Sequence, residues 1–354
     1  MSKSYYSLGL MSGTSMDGVD ASIIQSDGKS KYKAILDKYF EYPKDIFKDL
    51  TTLRDKIKSS KDLKRFEKQT KSIEKEITLF HAKAASKIIK KSKLNVDFIG
   101  FHGQTIFHNA EEQISRQIGD GKLLSKLTKK KVVYNFRQND LKNGGQGAPL
   151  TPIFHSILVK QKKIPLPVVI LNIGGITNYT FIDEKGVSSG LDLGPGNCLI
   201  DQWVRLNSKK KYDENGRIAK SGKIKKIILN KALKNFKKKK LIKSSFDVKD
   251  FDISFVRGLS LEDGAATLTE YTSEILYEYL IDPEGGTWES TIIAGGGRKN
   301  KFLIKSIEDK IKSLGTLNSP LKLIDDYGVD GDFVESQAFA YLAIRSYLNL
   351  PISF

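Results

Sequence analysis

Residues Gly9-Leu10-Met11-Ser12-Gly13-Thr14-Ser15-Met16-Asp17-Gly18-Val19-Asp20 constrain this chain more than any other stretch. An apolar run, Tyr5 to Leu10, precedes them. Afterwards Val19, Ala21 and Ile23 alternate with Asp20, Ser22 and Ile24, the period of a strand. The stretch is therefore expected at the tip of a hairpin. Gly13 and Gly18 have the spacing of a Walker loop, but Val19-Asp20 and a strand follow where that loop needs Lys-Ser/Thr and a helix. Glycines let backbone approach a ligand closely, and Ser and Thr hydroxyls add donors for phosphate oxygens. A carboxylate such as Asp17 can hold a hydrated Mg²⁺ beside them. An ordinary glycine-rich hairpin turn is the other reading of the same spacing.

The full string resembles the N-terminal signature of the anhydro-N-acetylmuramic acid kinases. On that resemblance Gly13, Thr14, Ser15, Met16, Asp17, Gly18, Val19 and Asp20 are candidates for binding the phosphates of ATP, with Asp17 as the Mg²⁺ ligand.

Composition sets the outer bounds. The 354 residues suffice for two domains with separate cores, and 39% hydrophobic content excludes a disordered chain. No apolar run approaches the roughly 20 residues of a membrane span, and Met1-Ser2-Lys3-Ser4-Tyr5 lacks a signal peptide's apolar stretch. The single cysteine, Cys198, permits no internal disulfide; a reducing cytoplasm and a small core residue are the expectations. A net charge of +18 raises nucleic acid as a partner. The lysine tracts at 129–131, 209–211 and 237–240 are scattered, lack interleaved aromatics and accompany no reading module, so no nucleic acid is expected.

Further along, Ile46, Leu50, Leu53 and Ile57 recur at helical spacing, and a second run continues from Leu63 to Ile88. Val96–Phe101 reads as a buried strand ending in His102-Gly103-Gln104-Thr105, and His102–His108 reproduces the family's His-Gly-Gln-Thr-x-x-His. The strand Val132–Phe136 leads into Asn135-Phe136-Arg137-Gln138-Asn139-Asp140 and then Gly144–Leu150. Family members carry Asp-Phe-Arg-x-x-Asp and Gly-Gly-Gln-Gly-Ala-Pro-Leu there; Asn135 departs from it and receives no role. Arg137 beside Asp140 fits either a fork for a substrate carboxylate or a structural pair.

The second half repeats the logic. Val168–Ile173 is a continuous apolar strand, Gly174-Gly175-Ile176-Thr177-Asn178 a turn, and Tyr179–Ile182 a returning strand. A third glycine turn, Gly295-Gly296-Gly297, follows the strand Thr291–Ala294 and precedes a helix. Between them Gly190–Asn197 reads as a stiff, exposed turn that presents Asp192, with Asn197 and Asp201 four apart on the next helix. Alone, Asp192 is equally a turn residue. The family places its catalytic aspartate in Asp-x-Gly-Pro-x-Asn, which assigns that role to Asp192. Lys243-Ser244 to Asp250-Phe251 loosely matches a family Lys-Ser…Asp-Phe segment. Glu335-Ser336-Gln337-Ala338-Phe339-Ala340 matches Glu-Ala-x-Ala-Phe-Ala except at Ser336.

The resemblance, carried by these ordered blocks over nearly the whole chain, implies an α/β fold of two ribonuclease-H-like lobes. This is the actin-like ATPase fold of the actin, hexokinase and heat-shock-chaperone superfamily, with an interlobe cleft. Lobe I is expected at 1–140, completed by the C-terminal helix 332–354, and lobe II at 141–331. The implied reaction is ATP-dependent opening of 1,6-anhydro-N-acetylmuramic acid with phosphorylation of O6, in cell-wall recycling. Asn172, Gly174, Gly175, Asn178, Gly295, Gly296 and Gly297 join the nucleotide site. His102, Gln104, Thr105, Arg137, Asp140 and Glu335 face the sugar. ATP and Mg²⁺ are the expected small molecules besides the sugar, no membrane is expected as a partner, and a homodimer is left open. The competing reading is an actin-like or chaperone-like ATPase without sugar kinase activity. A serine hydrolase built on Ser12 or Ser15 lacks the G-x-S-x-G elbow.

Overall fold

The computed structural model describes residues 3–240, 245–280, 288–313 and 321–353. Two compact units emerge, Met1–Ile164 with Asp332–Phe354, and Pro165–Gly331. The first contains β1 (Tyr5–Ser12), β2 (Gly18–Ser26), β3 (Tyr32–Glu41), α1 (Lys44–Lys56), α2 (Ser60–Arg65), α3 (Glu67–Ser92), β4 (Phe98–Asn109), β5 (Ile114–Ile118), α4 (Gly121–Thr128), β6 (Lys131–Tyr134), α5 (Gln138–Lys142) and α6 (Pro152–Lys162). The second contains β7 (Val168–Ile173), β8 (Ile176–Ile182), β9 (Ser188–Pro195), α7 (Cys198–Asn207), α8 (Arg217–Ser221), α9 (Lys226–Lys240), α10 (Leu261–Leu280), β10 (Ser290–Ala294), α11 (Lys301–Ser313) and β11 (Leu321–Leu323). The chain then returns to the first unit through α12 (Val334–Tyr347).

Both sheets share one topology. In the first unit the order is β3-β2-β1-β4, with β6 parallel to β4 and β5 antiparallel to its far half. The second runs β9-β8-β7-β10-β11, with β7, β10 and β11 parallel and β8 and β9 antiparallel neighbours. A meander of three strands with parallel strands added beside the first is the ribonuclease-H-like arrangement. Among the described residues, no helix is long and apolar enough to cross a membrane.

The alternation in β2 does not separate core from solvent, because both faces of the sheet are covered. Leu8, Leu10, Val19, Ala21 and Ile23 join one core cluster with residues of α1 and α3. The opposite face carries Gly9 of β1, paired across strands with both Ser22 and Gly100. A Cβ at Gly9 would overlap the Ser336 carbonyl, and one at Gly100 the Phe339 carbonyl. Bare backbone here lets α12 lie directly on the sheet. Ser336, the departure from the family pattern, is fully buried, and its Oγ lies 2.6 Å from Ser22 Oγ. The polar substitution thus brings its own partner.

Several boundaries differ from the sequence reading. The run from Leu63 to Ile88 is split between α2 and α3 at Phe66. β6 stops at Tyr134 because Asn135 takes a left-handed conformation, φ +59°, which asparagine tolerates well. Residues 141–164, expected with the second lobe, pack with the first unit. There the ring of Phe154 on α6 lies 5.1 Å from Tyr32 and 5.8 Å from Tyr341. The C-terminal helix occupies only Val334–Tyr347. Lys243 and Ser244 lie outside the described residues.

Candidate active site

In the first unit the loop Gly13–Asp17 joins β1 to β2, as expected of a hairpin tip. Its shape is held from beneath. Ser12 Oγ lies 2.6 Å from Gln104 Oε1, 2.9 Å from the Gly18 carbonyl and 3.1 Å from Tyr42 Oη. Gln104 Nε2 donates to the Gly13 carbonyl at 3.0 Å, and the Tyr42 amide donates to the Asp17 carbonyl at 2.8 Å. Thr14 and Ser15 are exposed, and Gly13, Asp17 and Asp20 are half-buried. Met16 adopts φ +58° and buries its side chain in the core, as Val19 does. Only their backbones are left for a ligand.

Ser15 Oγ donates to Asp17 at 2.6 Å. The same carboxylate faces the Tyr39 phenol, whose pKa is pushed up first by burial and then by Asp17. Among the described residues no cluster of three or more His, Cys, Asp or Glu is placed to hold a metal. A Mg²⁺ at Asp17 therefore requires water and phosphate oxygens for most of its shell, which is its usual manner of binding beside a nucleotide.

The motif His102–Thr105 lies within β4 and not at its end. A register shift opposite Leu10/Met11 bulges His102 out of the pairing, and Gly103 supplies the φ of +74° that the bulge needs. His102 is buried, with Nδ1 2.9 Å from the Gly103 carbonyl and Nε2 3.0 Å from an Arg137 guanidinium nitrogen. Burial and then the Arg137 charge hold its pKa well below the ordinary imidazole value. A neutral ring with the proton on Nδ1 satisfies both contacts.

Arg137 also donates to the Gly147 carbonyl at 2.7 Å, while Asp140 accepts from the Gly147 amide at 2.7 Å. The two residues read as a pair in sequence thus hold the carbonyl and the amide of one residue, Gly147. Gln104 is fully buried against the Gly13–Asp17 hairpin, and Thr105 accepts from Gln117 Nε2 at 3.1 Å. Both side chains are used by the protein itself. Glu335 is half-buried in the first turn of α12.

In the second unit the hairpin turn shrinks to Gly174-Gly175, and Asn178 sits in β8 opposite Asp192. The amides of Gly196, Asn197 and Cys198 donate to the Gly174 and Gly175 carbonyls at 2.8–3.2 Å, so the start of α7 is tied to this turn. Burial pushes the Cys198 thiol up to about 12, consistent with an inert core cysteine. Asn172 is buried at the end of β7 beside Ala294 of β10. A Cβ on Gly295 would overlap its Oδ1. Asn172 and the Gly295–Gly297 turn therefore share the carboxyl edge of this sheet, where open α/β sheets bind ligands.

Asp192 is not in an exposed turn. It lies in β9 and is buried, because Pro195 continues the strand by pairing with Ile176. Its Oδ2 accepts from the Phe246 amide at 3.1 Å, with Ser245 Oγ at 3.4 Å. Phe246 is itself fixed among Phe236 and Phe251 at ring distances of 5.8 and 5.4 Å. Tyr42 had no recognisable signal in the sequence, since it acts on Ser12, 30 residues away.

Comparison with known proteins accords with this geometry. Residues 5–354 match the family model for anhydro-N-acetylmuramic acid kinase. A relative of that name from Pelagibacter ubique (strain HTCC1062) is 56% identical over 363 residues, covering 100% of this chain and 95% of its own. Those from Zymomonas mobilis subsp. mobilis and Rhizobium johnstonii are 38% and 37% identical, each covering 98% of this chain and 94% and 93% of their own. With its motifs in order and nearly every residue matched, the chain belongs to the anhydro-N-acetylmuramic acid kinase family.

Proposed function

We propose that this enzyme opens 1,6-anhydro-N-acetylmuramic acid with water and transfers the γ-phosphoryl group of ATP to O6. The products are N-acetylmuramic acid 6-phosphate and ADP, as in peptidoglycan recycling in the cytoplasm. The observation that carries this reading is the full-length family match, with Asp192 in place within its motif.

The chemistry asks for one base. A glycosidase uses two carboxylates, one to protonate the leaving oxygen. Here the leaving oxygen, O6, becomes the phosphoryl acceptor, so its charge passes to the bond with phosphorus. Water bonds to C1 as C1–O6 breaks; O6 bonds to the γ-phosphorus as the bond to the ADP oxygen breaks. Asp192 takes the proton from water. The Phe246 amide donates to one carboxylate oxygen and orients the other. His102 fixes Arg137, and with Asp140 it shapes the Gly147 loop for the sugar's carboxylate. Thr14, Ser15 and the backbone of Gly13–Gly18 receive phosphate oxygens. Asp17 would hold Mg²⁺, which neutralises phosphate charge when bound.

Oxygen labelling tests the reaction. In heavy-oxygen water the label is expected at the C1 hydroxyl and not in phosphate. Rapid trapping, with product incubated alone, controls for exchange through the open-chain sugar. Label in free phosphate would make the chain a simple ATPase, and a phosphorylated product with an intact anhydro bridge would make it a conventional kinase. Either result overturns the proposal.

A further inference from the structure

The glycine turn after β10 is open in front and locked behind. Gly296 is exposed, and a Cβ added there would meet no protein atom within 4 Å. Behind it Arg298 has a side chain only 4% exposed. One guanidinium nitrogen donates to the Gly295 carbonyl at 3.1 Å. The other two donors grip both oxygens of Asp325, at 2.6 and 3.1 Å, and one also lies 3.5 Å from Asp330. Gly331 leaves the room: any Cβ there would collide with the guanidinium. A short turn of bare glycines has little stiffness of its own. Its conformation is imposed by a planar cation that meets a carbonyl on one side and a carboxylate fork on the other.

We propose that Arg298 is a positioning residue for the nucleotide, holding the Gly295–Gly297 turn in the shape that receives the adenosine end of ATP. This rests on reading that turn as part of the nucleotide site. A lysine cannot take over the task. Its ammonium is a point charge and cannot span Gly295 and both oxygens of Asp325 in one plane.

Steady-state kinetics on the full chain, below the melting temperature of every variant, test this. Arg298→Lys is expected to raise the KM for ATP by about tenfold, with kcat and the sugar KM changed by less than about twofold. Because disturbing the buried guanidinium of Arg298 can destabilise a protein, Asp325→Asn, on the partly exposed side of the pair, gives a second route. It keeps the shape, weakens the fork and should raise the ATP KM by about threefold. Gly296→Val tests the underlying site separately. It places bulk in open space, so melting should be unchanged while the ATP KM rises. Should Gly296→Val leave the ATP KM untouched, the nucleotide reading of the turn fails, and the role of Arg298 with it. A raised KM in Gly296→Val with a normal one in Arg298→Lys and Asp325→Asn would reduce Arg298 to a stabilising ion pair and overturn the proposal.

Discussion

In the proposed mechanism the carboxylate that takes a proton from water has to be both ionised and aimed, and the Phe246 amide holds one oxygen of Asp192 in place. Asp192→Asn preserves the side chain's shape, so the strand and its contacts should survive. Product formation is expected to fall by on the order of 10²-fold or more, with nucleotide binding by calorimetry unchanged. Near-normal turnover would remove Asp192 from the mechanism. The sequence singled out this aspartate through its motif but placed it in an exposed turn. Glycines and a proline around a carboxylate read as a turn, yet pairing of β9 with β8 buries the whole stretch. The misplacement was physical in origin: local composition carries no information about which strand lies alongside.

Among the elements, α12 shows how close packing depends on what is missing from a side chain. It rests on Gly9 and Gly100, cross-strand partners in β1 and β4. Gly9→Ala would drive a methyl into the Ser336 carbonyl, and backbone cannot swing aside as a flexible side chain can. A loss of on the order of 3 kcal/mol is expected in urea denaturation. Gly296→Ala, at an open position, should be neutral by the same measurement. Equal stability in the two variants would refute the close-packing account. The strands β1, β2 and β7 and the helices α1 and α3 were legible from apolar periodicity. The bulge at His102 was not, because it is created by the register between β1 and β4.

For the whole molecule, three buried imidazoles set an acid limit. Burial lowers His81 and His155 to about 4, and burial with the Arg137 charge holds His102 well below the ordinary imidazole value. The unfolded chain takes up these protons near pH 6.5, the folded chain only at lower pH. The histidines' contribution to stability is therefore constant above about pH 6.5 and falls as pH drops below it. The loss for His81 and His155 levels off once pH passes about 4. On the order of 1 kcal/mol per histidine per pH unit is expected across that window. Urea midpoints at pH 7 and pH 5 would measure it, and His155→Asn should flatten the slope. An unchanged slope in that variant would show that His155 is not protonated on unfolding in this range.

What the sequence determined by itself was whatever depends on neighbours in the chain. That covers the hairpin around Gly13–Asp17, the apolar strands of both units, the three glycine turns and the motif order that marks the family. The tertiary structure alone decided how those pieces are held. Gln104 and Tyr42 fasten the hairpin from beneath, His102 turns Arg137, and Asp325 draws Arg298 behind the glycine turn. Each of these contacts joins residues 27 to 92 positions apart. Such pairs meet only after strand register, bulges and helix packing fix where every side chain points, and none of those is a property of a local stretch of residues.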